Sequence, residues 1–239
     1  MIVYPTYWKR NYDEYGDFNS LDVPEIVRIL FSILEELEIR HLAYSGGIDS
    51  TIILSILSYI HKDVYTYTIS SREDHPDAKF ARLGANHYNS HHNEFIVEPT
   101  QADSDEQLGD NAVRQFYECV SVHTDNIICG DGVDEFMCGY YKHQDMSMKT
   151  YMFYLSVLCP YHLVPLNSNS KEVKVYLPYL DDVLIEIFRN IPLHIKVDHD
   201  KRKKVMIEIA KYLYIPDEFI ERNKYGFCDA FIEKDKKKT

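Results

Sequence analysis

The stretch Ser45-Gly46-Gly47-Ile48-Asp49-Ser50 decides the fold. The apolar run His41-Leu42-Ala43-Tyr44 precedes it, and the mostly aliphatic run from Thr51 to Leu57 follows it. An apolar run, two glycines and a second apolar run are typical of a strand, a tight turn and a helix. The sequence therefore predicts a helix that begins directly at the end of a strand.

This glycine turn is suited to a phosphate group. Backbone N–H groups point out of the helix N-terminus, where the helix dipole also favours an anion. Gly46 and Gly47 have no Cβ, so the backbone can adopt positive φ and approach phosphate oxygens closely. The hydroxyls of Ser45, Ser50 and Thr51 can add hydrogen bonds.

Asp49 is the unusual member of the turn. A carboxylate beside bound phosphates repels them unless a divalent cation lies between the two, so we expect Asp49 to bind Mg²⁺. The alternative is an ordinary turn and helix cap, in which Asp49 is a first-turn carboxylate favoured by the dipole. The stretch is not a Walker A loop, because no lysine follows the glycines, and this excludes kinase-like and GTPase functions.

The composition predicts one domain, residues 1–239, with a substantial core. The chain is 45% hydrophobic, and its formal net charge of -12 argues against an extended nucleic-acid partner. Its five cysteines are widely spaced without a C-x-x-C pair, so they indicate neither a zinc site nor a disulfide framework. No signal-peptide pattern or apolar run of membrane-spanning length is present, and we expect a cytoplasmic location.

Strand-like and helix-like segments alternate through the first half of the chain. This pattern predicts a mostly parallel α/β sheet flanked by helices, with ligands at the carboxyl ends of its strands. Beyond Tyr140 the sequence is typical of a largely helical part. The expected strands are 41–44, 64–69, 94–97 and 126–129, and the expected helices begin near 22, 51, 76, 105, 148, 181, 200 and 216.

A second candidate stretch is Gly130-Asp131-Gly132-Val133-Asp134-Glu135-Phe136, which again follows a strand and opens a helix. Two strand ends that each carry an aspartate at a helix start can hold one metal ion between them. The alternative makes these carboxylates helix caps on a solvated turn. Because the pattern recurs after two strands, we favour a binding site.

Three other segments are less informative. Residues 1–20 are rich in tyrosine without clear periodicity and predict an irregular N-terminal arm. Residues 234–239 form a polar, lysine-rich tail. The run Lys201-Arg202-Lys203-Lys204 in the helix expected at 200–214 is, by counting alone, a solvated basic face.

The order of motifs over residues 40 to 230 resembles the synthetase domain of glutamine-dependent asparagine synthetase and its relatives. These proteins belong to the ATP pyrophosphatases, or PP-loop proteins, which split ATP into AMP and pyrophosphate. The matching elements, in chain order, are the glycine turn, His91-His92 before the third strand, the acidic element Gly130 to Tyr140, Pro178-Tyr179-Leu180-Asp181, a lysine-led helix near Lys203, and Arg222-Asn223-Lys224-Tyr225-Gly226-Phe227.

The resemblance implies a Rossmann-like sheet of the adenine nucleotide α-hydrolase type, with ATP and Mg²⁺ as cofactors. It implies that Asp49 and Asp134 bind Mg²⁺, and that the turn residues Ser45, Gly46, Gly47 and Ser50, with Gly130, bind the nucleotide phosphates. Lys224, with Lys203 in support, would stabilise the reacting phosphate or acyl centre, since negative charge builds up there. Asp131, the third candidate catalytic residue, would contact the substrate amine or carboxylate.

Four departures from the family pattern bear on function. Asp131 replaces a glutamate, Cys138 replaces a glycine, and Ile207 stands where an arginine is usual. Only about 40 residues precede the glycine turn, too few for the amidotransferase domain of the glutamine-dependent members. We therefore expect the amine to be free ammonia, ammonia from a separate amidotransferase subunit, or an amine of the substrate.

The resulting hypothesis is an ATP-dependent ligase that forms an amide from a small-molecule carboxylate through an acyl-adenylate. One alternative keeps the adenylating chemistry but applies it to nucleobase or tRNA modification, against which the acidic charge and the absent C-x-x-C pair argue. Another is a non-catalytic ATP-binding subunit of an amidotransferase complex. The sequence names neither the carboxylate nor the oligomeric state.

Overall fold

The structure is a computed structural model that describes residues 1–3, 21–98 and 104–222. Six strands in this part of the chain form one sheet, in which every neighbouring pair is parallel. The strands are β1 (Ile2–Val3), β2 (His41–Ala43), β3 (Tyr65–Ser70), β4 (His91–Ile96), β5 (Asn126–Ile128) and β6 (Lys174–Tyr176).

Helices precede, separate and follow the strands. Those in the described residues are α1 (Val23–Leu37), α2 (Ile48–Ile60), α3 (Pro76–His87), α4 (Asp105–Val120), α5 (Val133–Phe136), α6 (Met148–Val157), α7 (Val164–Asn169), α8 (Asp182–Asn190), α9 (Leu193–Lys196), α10 (Lys204–Tyr212) and α11 (Asp217–Ile220). A π-helical turn, Leu158–Leu163, joins α6 to α7. None of the described helices is long and apolar enough to cross a membrane.

Helix α1 shows how local signals and packing agree. The Asp22 side chain accepts a hydrogen bond from the Glu25 amide at 3.0 Å, which satisfies one of the free N–H groups of the first turn. The apolar stripe of the helix is also buried, as Ile26, Leu30 and Leu34 show. Burial of each such side chain contributes about 1.5–3 kcal/mol, so the predicted helix is fixed by its packing.

The strand order is β1-β6-β5-β2-β3-β4. From β2 the chain runs outward through β3 and β4, and β5 then returns to pair with the other side of β2. This reversal creates a crevice beyond the carboxyl ends of β2 and β5, where parallel α/β sheets bind ligands. Leu42 of β2 and Ile128 of β5 are register partners and are fully buried, so the crevice rests on the core.

The predicted fold class, a parallel Rossmann-like sheet followed by a largely helical part, is confirmed. The expected bounds of the first helix, four strands and the helices at 76, 105, 148 and 181 agree with the structure within a few residues. His91 and His92 belong to the third predicted strand instead of preceding it, because both pair with β3. The helix expected at 200–214 begins only at Lys204.

The prediction of an irregular arm over residues 1–20 is wrong at its start. Ile2 and Val3 pair with Val175 and Tyr176, and Ile2 is buried. Neither β1 nor β6 was predicted, because each is only two or three residues long and is held by a partner far away in sequence. Residues 4–20 and 234–239 of the predicted arm and tail lie outside the described residues.

Candidate active site

The glycine turn lies in the crevice, between β2 and α2. Gly47 is the N-cap of α2, and Gly46 adopts a left-handed conformation with φ of 67°. A Cβ at Gly46 would lie 2.5 Å from the backbone carbonyl carbon of Phe80 in α3. Both the backbone angle and this contact require glycine, so α3 fixes the path of the turn.

Hydroxyl groups brace the turn. The Gly47 amide donates to Ser45 Oγ at 3.3 Å, and Ser50 Oγ donates to the Gly47 carbonyl at 3.1 Å. Thr51 is fully buried, and its hydroxyl donates to the same carbonyl at 2.8 Å. Ser45 and Ser50 line a cavity in the crevice, whereas Thr51 supports the turn from inside.

Asp49 and Asp134 both contact the same cationic side chain. Asp49 follows β2 and Asp134 follows β5, and the ammonium group of Lys203 forms ion pairs with both carboxylates. Burial disfavours the charged ammonium, but the two carboxylates outweigh this effect and raise the pKa of Lys203 well above its ordinary value. The site therefore holds two negative charges and one positive charge in contact.

Lys203 is not part of a solvated basic face, as the sequence alone favoured. Its side chain is only 9% exposed, and its backbone, with φ of 54°, is the N-cap of α10. Gly139 leaves room for it, because a Cβ there would lie 1.8 Å from a carboxylate oxygen of Asp134 and 2.7 Å from Lys203 Cε. The close approach of three chain segments thus depends on a glycine.

The Pro178-Tyr179-Leu180-Asp181 motif supports the same centre. The Tyr179 hydroxyl donates to the backbone carbonyl of Asp49 at 2.8 Å. Gly130 lies against the same residue, since a Cβ on it would stand 3.7 Å from the Cβ of Asp49. Asp181 itself caps α8 by accepting from the Val183 amide at 2.9 Å.

Asp131 occupies the other end of the acidic stretch. Cys129 Sγ donates to one of its carboxylate oxygens at 2.8 Å, and His162 Nε2 lies 3.1 Å from the other. Burial opposes ionisation, but the hydrogen bonds from His162 and Cys129 dominate and lower the pKa of Asp131 below its usual value. No sequence motif points to His162, because it lies 31 residues further along the chain and meets Asp131 only in the fold.

One cavity of about 330 Å³ connects these groups. It runs from the glycine turn, past Asp49 and Asp134, to Asp131 and His162. Further lining residues come from β3 and from helix α4, including Thr68, Ile69, Asp110, Phe116 and Tyr117. The cavity therefore has hydrogen-bond donors of the glycine turn at one end and an aromatic, acidic wall at the other.

Comparison with known proteins identifies the family. A family model for asparagine synthase matches residues 43–175 and 166–238. The chain belongs to the asparagine synthase family. Membership establishes the class of the protein, a PP-loop synthetase of the ATP-dependent, amide-forming type. No curated protein matches the chain in sequence.

Two solved structures are similar to the chain at low sequence identity. An NH3-dependent NAD synthetase from Campylobacter jejuni subsp. jejuni NCTC 11168, in complex with the nitrate ion, is similar with a TM-score of 0.52 and 14% identity, over 88% of this chain and 81% of that chain. An NMN synthetase from Francisella tularensis is similar with a TM-score of 0.49 and 13% identity, over 87% and 78%. Since the identity is so low, the first likeness shows the fold alone.

The carboxylates suit the Mg²⁺ ion that is typical of this family. Mg²⁺ in nucleotide sites is bound by one or two carboxylates together with phosphate oxygens. Asp49 and Asp134 provide such a pair, and they already hold a cation, the Lys203 ammonium, in the structure. Within the described ranges no cluster of three or more His, Cys, Asp or Glu side chains could hold a metal ion by itself. The donor set therefore fits a metal ion that is shared with a nucleotide.

The last family motif reaches the glycine turn through Arg222. Its guanidinium donates to the Ser45 carbonyl at 3.0 Å, forms an ion pair with Asp77, and lies 4.8 Å from the ring centre of Phe80. Lys224, two residues later, lies outside the described residues, so its role stays a prediction. Arg222 itself lies beside the glycine turn.

Proposed function

We propose that the protein is an ATP-dependent amide-forming ligase. It adenylates a substrate carboxylate with release of pyrophosphate, and then transfers ammonia or an amine to the acyl group with release of AMP. Family membership supports the general class, and one observation of the site supports the detailed reaction. Two aspartates at neighbouring strand ends meet beside a phosphate-type turn, in a cavity that continues to a separate acidic wall.

The glycine turn would bind the pyrophosphate part of ATP. The free N–H groups of the first turn of α2 and the hydroxyls of Ser45 and Ser50 supply donors, and Gly46 and Gly47 let the backbone approach the phosphates. Gly130 lies beside Asp49 on the opposite wall and would add its backbone to the nucleotide site.

Asp49 and Asp134 would hold the metal ion, which when bound supplies positive charge against the leaving pyrophosphate. Lys203 keeps the two carboxylates side by side, and its ammonium would stabilise the negative charge that develops on the α-phosphate. Lys224 is proposed to add a second ammonium near the acyl centre. Asp131 would orient the acceptor at the far end of the cavity.

The test is product analysis with α-labelled ATP, Mg²⁺, ammonia and a panel of carboxylates that contains aspartate, glutamate, succinate and glutarate. We expect AMP and pyrophosphate in equal amounts, dependent on one carboxylate. Asp49→Asn and Asp134→Asn should each lower kcat/KM by about a hundredfold or more, because each removes charge that acts in the transition state.

Asp63→Asn is the matched control, since Asp63 is an exposed aspartate. Its described partner is His91 in the edge strand β4. The rate of this variant should equal that of the wild type. ATP binding without AMP formation from any mixture, also after addition of an amidotransferase subunit, would contradict the ligase proposal. AMP formation that requires tRNA would instead favour a role in nucleic-acid modification.

A further inference from the structure

His162 joins the two ends of the acidic stretch. Its Nε2 atom lies 3.1 Å from Asp131 Oδ1, and its Nδ1 atom lies 3.2 Å from Glu135 Oε1. The same Glu135 oxygen accepts a hydrogen bond from the Tyr140 hydroxyl at 2.7 Å. A single imidazole therefore fixes the distance between two carboxylates on different turns of the chain.

The two carboxylate contacts favour the positively charged form of the imidazole. In that form both ring nitrogens of His162 donate, one to each carboxylate. Burial opposes the charge, but the hydrogen bonds to Asp131 and Glu135 outweigh it and raise the pKa of His162 well above its ordinary value. Hydrogen bonds between charged groups are stronger than neutral ones, so the imidazole stabilises the placement of both carboxylates.

His162 is also placed to affect a bound molecule. Its side chain is 34% exposed and lines the same cavity as Asp131. It comes from the π-helical turn Leu158–Leu163, a distortion that is frequent at functional sites. The other oxygen of Asp131 accepts from Cys129, so the carboxylate is held from both sides while it faces the cavity.

We propose that His162 is the positioning residue that sets the acceptor-binding carboxylate of Asp131. The shorter side chain of Asp131 leaves space that the imidazole occupies, and the two residues act as a unit. This inference rests on the proposed ligase function, because it assigns Asp131 to the acceptor.

The experiment is a double-mutant cycle on the full chain. The acceptor is the carboxylate that supports AMP formation in the product analysis above. His162→Gln should raise the KM for that carboxylate by about ten- to a hundredfold, as expected for lost hydrogen bonds to a charged group. The KM for ATP should stay within about twofold, since the turn is untouched. His91→Gln, which breaks an exposed His–Asp pair instead, should change neither value.

The decisive variant, Asp131→Glu, restores the glutamate that is usual in the family at this position. Asp131→Glu and His162→Ala should each lower kcat/KM, the first because its added methylene meets the imidazole. The double variant Asp131→Glu with His162→Ala should recover part of the kcat/KM that Asp131→Glu loses. Thermal unfolding and ATP binding check that each variant is folded. An unchanged acceptor KM in His162→Gln, or losses in the double variant that simply multiply, would overturn the inference. Absence of AMP from the wild type would instead overturn the proposed function.

Discussion

At the scale of single residues, the site depends on charges that balance one another. Lys203 neutralises part of the charge of Asp49 and Asp134, and His162 does the same for Asp131 and Glu135. Buried charges are costly unless they are paired and hydrogen-bonded. Lys203 and His162 therefore balance three of the five aspartates that line the cavity, and Arg222 pairs with a fourth, Asp77.

Lys196 is a charge of a different kind, because it is buried away from carboxylates. It is 0% exposed, and burial lowers its pKa to about 7. Its side-chain nitrogen donates to the Tyr151 hydroxyl at 2.8 Å and lies 4.5 Å from the centre of the Tyr151 ring. An unfolded lysine has a pKa of about 10.4. Between about pH 7 and pH 10 the unfolded chain therefore binds more protons than the folded one, and this group makes stability rise with pH.

We expect Lys196→Met to remove that rise. The wild type should gain up to about 1.4 kcal/mol of unfolding free energy per pH unit relative to the variant over this range. Urea denaturation at pH 7, 8 and 9 gives the unfolding free energy of each protein. The contributions of other titrating groups cancel in the difference between the two proteins. Parallel stability profiles would show that Lys196 keeps an ordinary pKa in the folded chain.

At the scale of elements, the glycine turn is shaped by the helix that packs behind it. Gly46 combines positive φ with a contact to the α3 backbone, whereas Gly47 has φ of -77° and open space except for Ser45 Oγ at 3.2 Å. A backbone atom cannot move aside, but a serine hydroxyl can rotate. The two neighbouring glycines are therefore not equivalent.

We expect Gly46→Ala to destabilise the protein by about 2–4 kcal/mol, from left-handed strain and overpacking together, and to abolish ATP binding. Gly47→Ala, the matched control, should cost less than about 1 kcal/mol. Urea denaturation gives the stabilities, and titration with Mg·ATP gives the affinities. Equal stability losses in both variants would show that α3 does not fix the turn.

At the scale of the whole molecule, negative charge dominates. The chain has a formal net charge of -12, and the described lining of the cavity contains neither lysine nor arginine. A free nucleotide with several negative charges is repelled by Asp49 and Asp134 at short range. Binding of ATP should therefore depend strongly on a divalent cation.

This dependence is measurable as thermal stabilisation. ATP with Mg²⁺ should stabilise the folded protein by about 2.7 kcal/mol at a concentration of 100 times its Kd, whereas ATP with EDTA should shift the Tm little. Asp49→Asn and Asp134→Asn should lose most of the Mg²⁺-dependent part. Equal stabilisation by ATP in Mg²⁺ and in EDTA would contradict metal binding by this aspartate pair.

The sequence by itself determined the strand, turn and helix around Gly46, the capped helix after Asp22, and the α/β alternation. These features follow from local properties: periodicity, capping and the conformational freedom of glycine. The tertiary structure decided the pairing of Lys203 with Asp49, which lies 154 residues away, and the contact between His162 and Asp131. It also decided the pairing of β1 with β6. Such contacts depend on how distant segments pack, and neither the periodicity nor the charge of a short stretch carries that information.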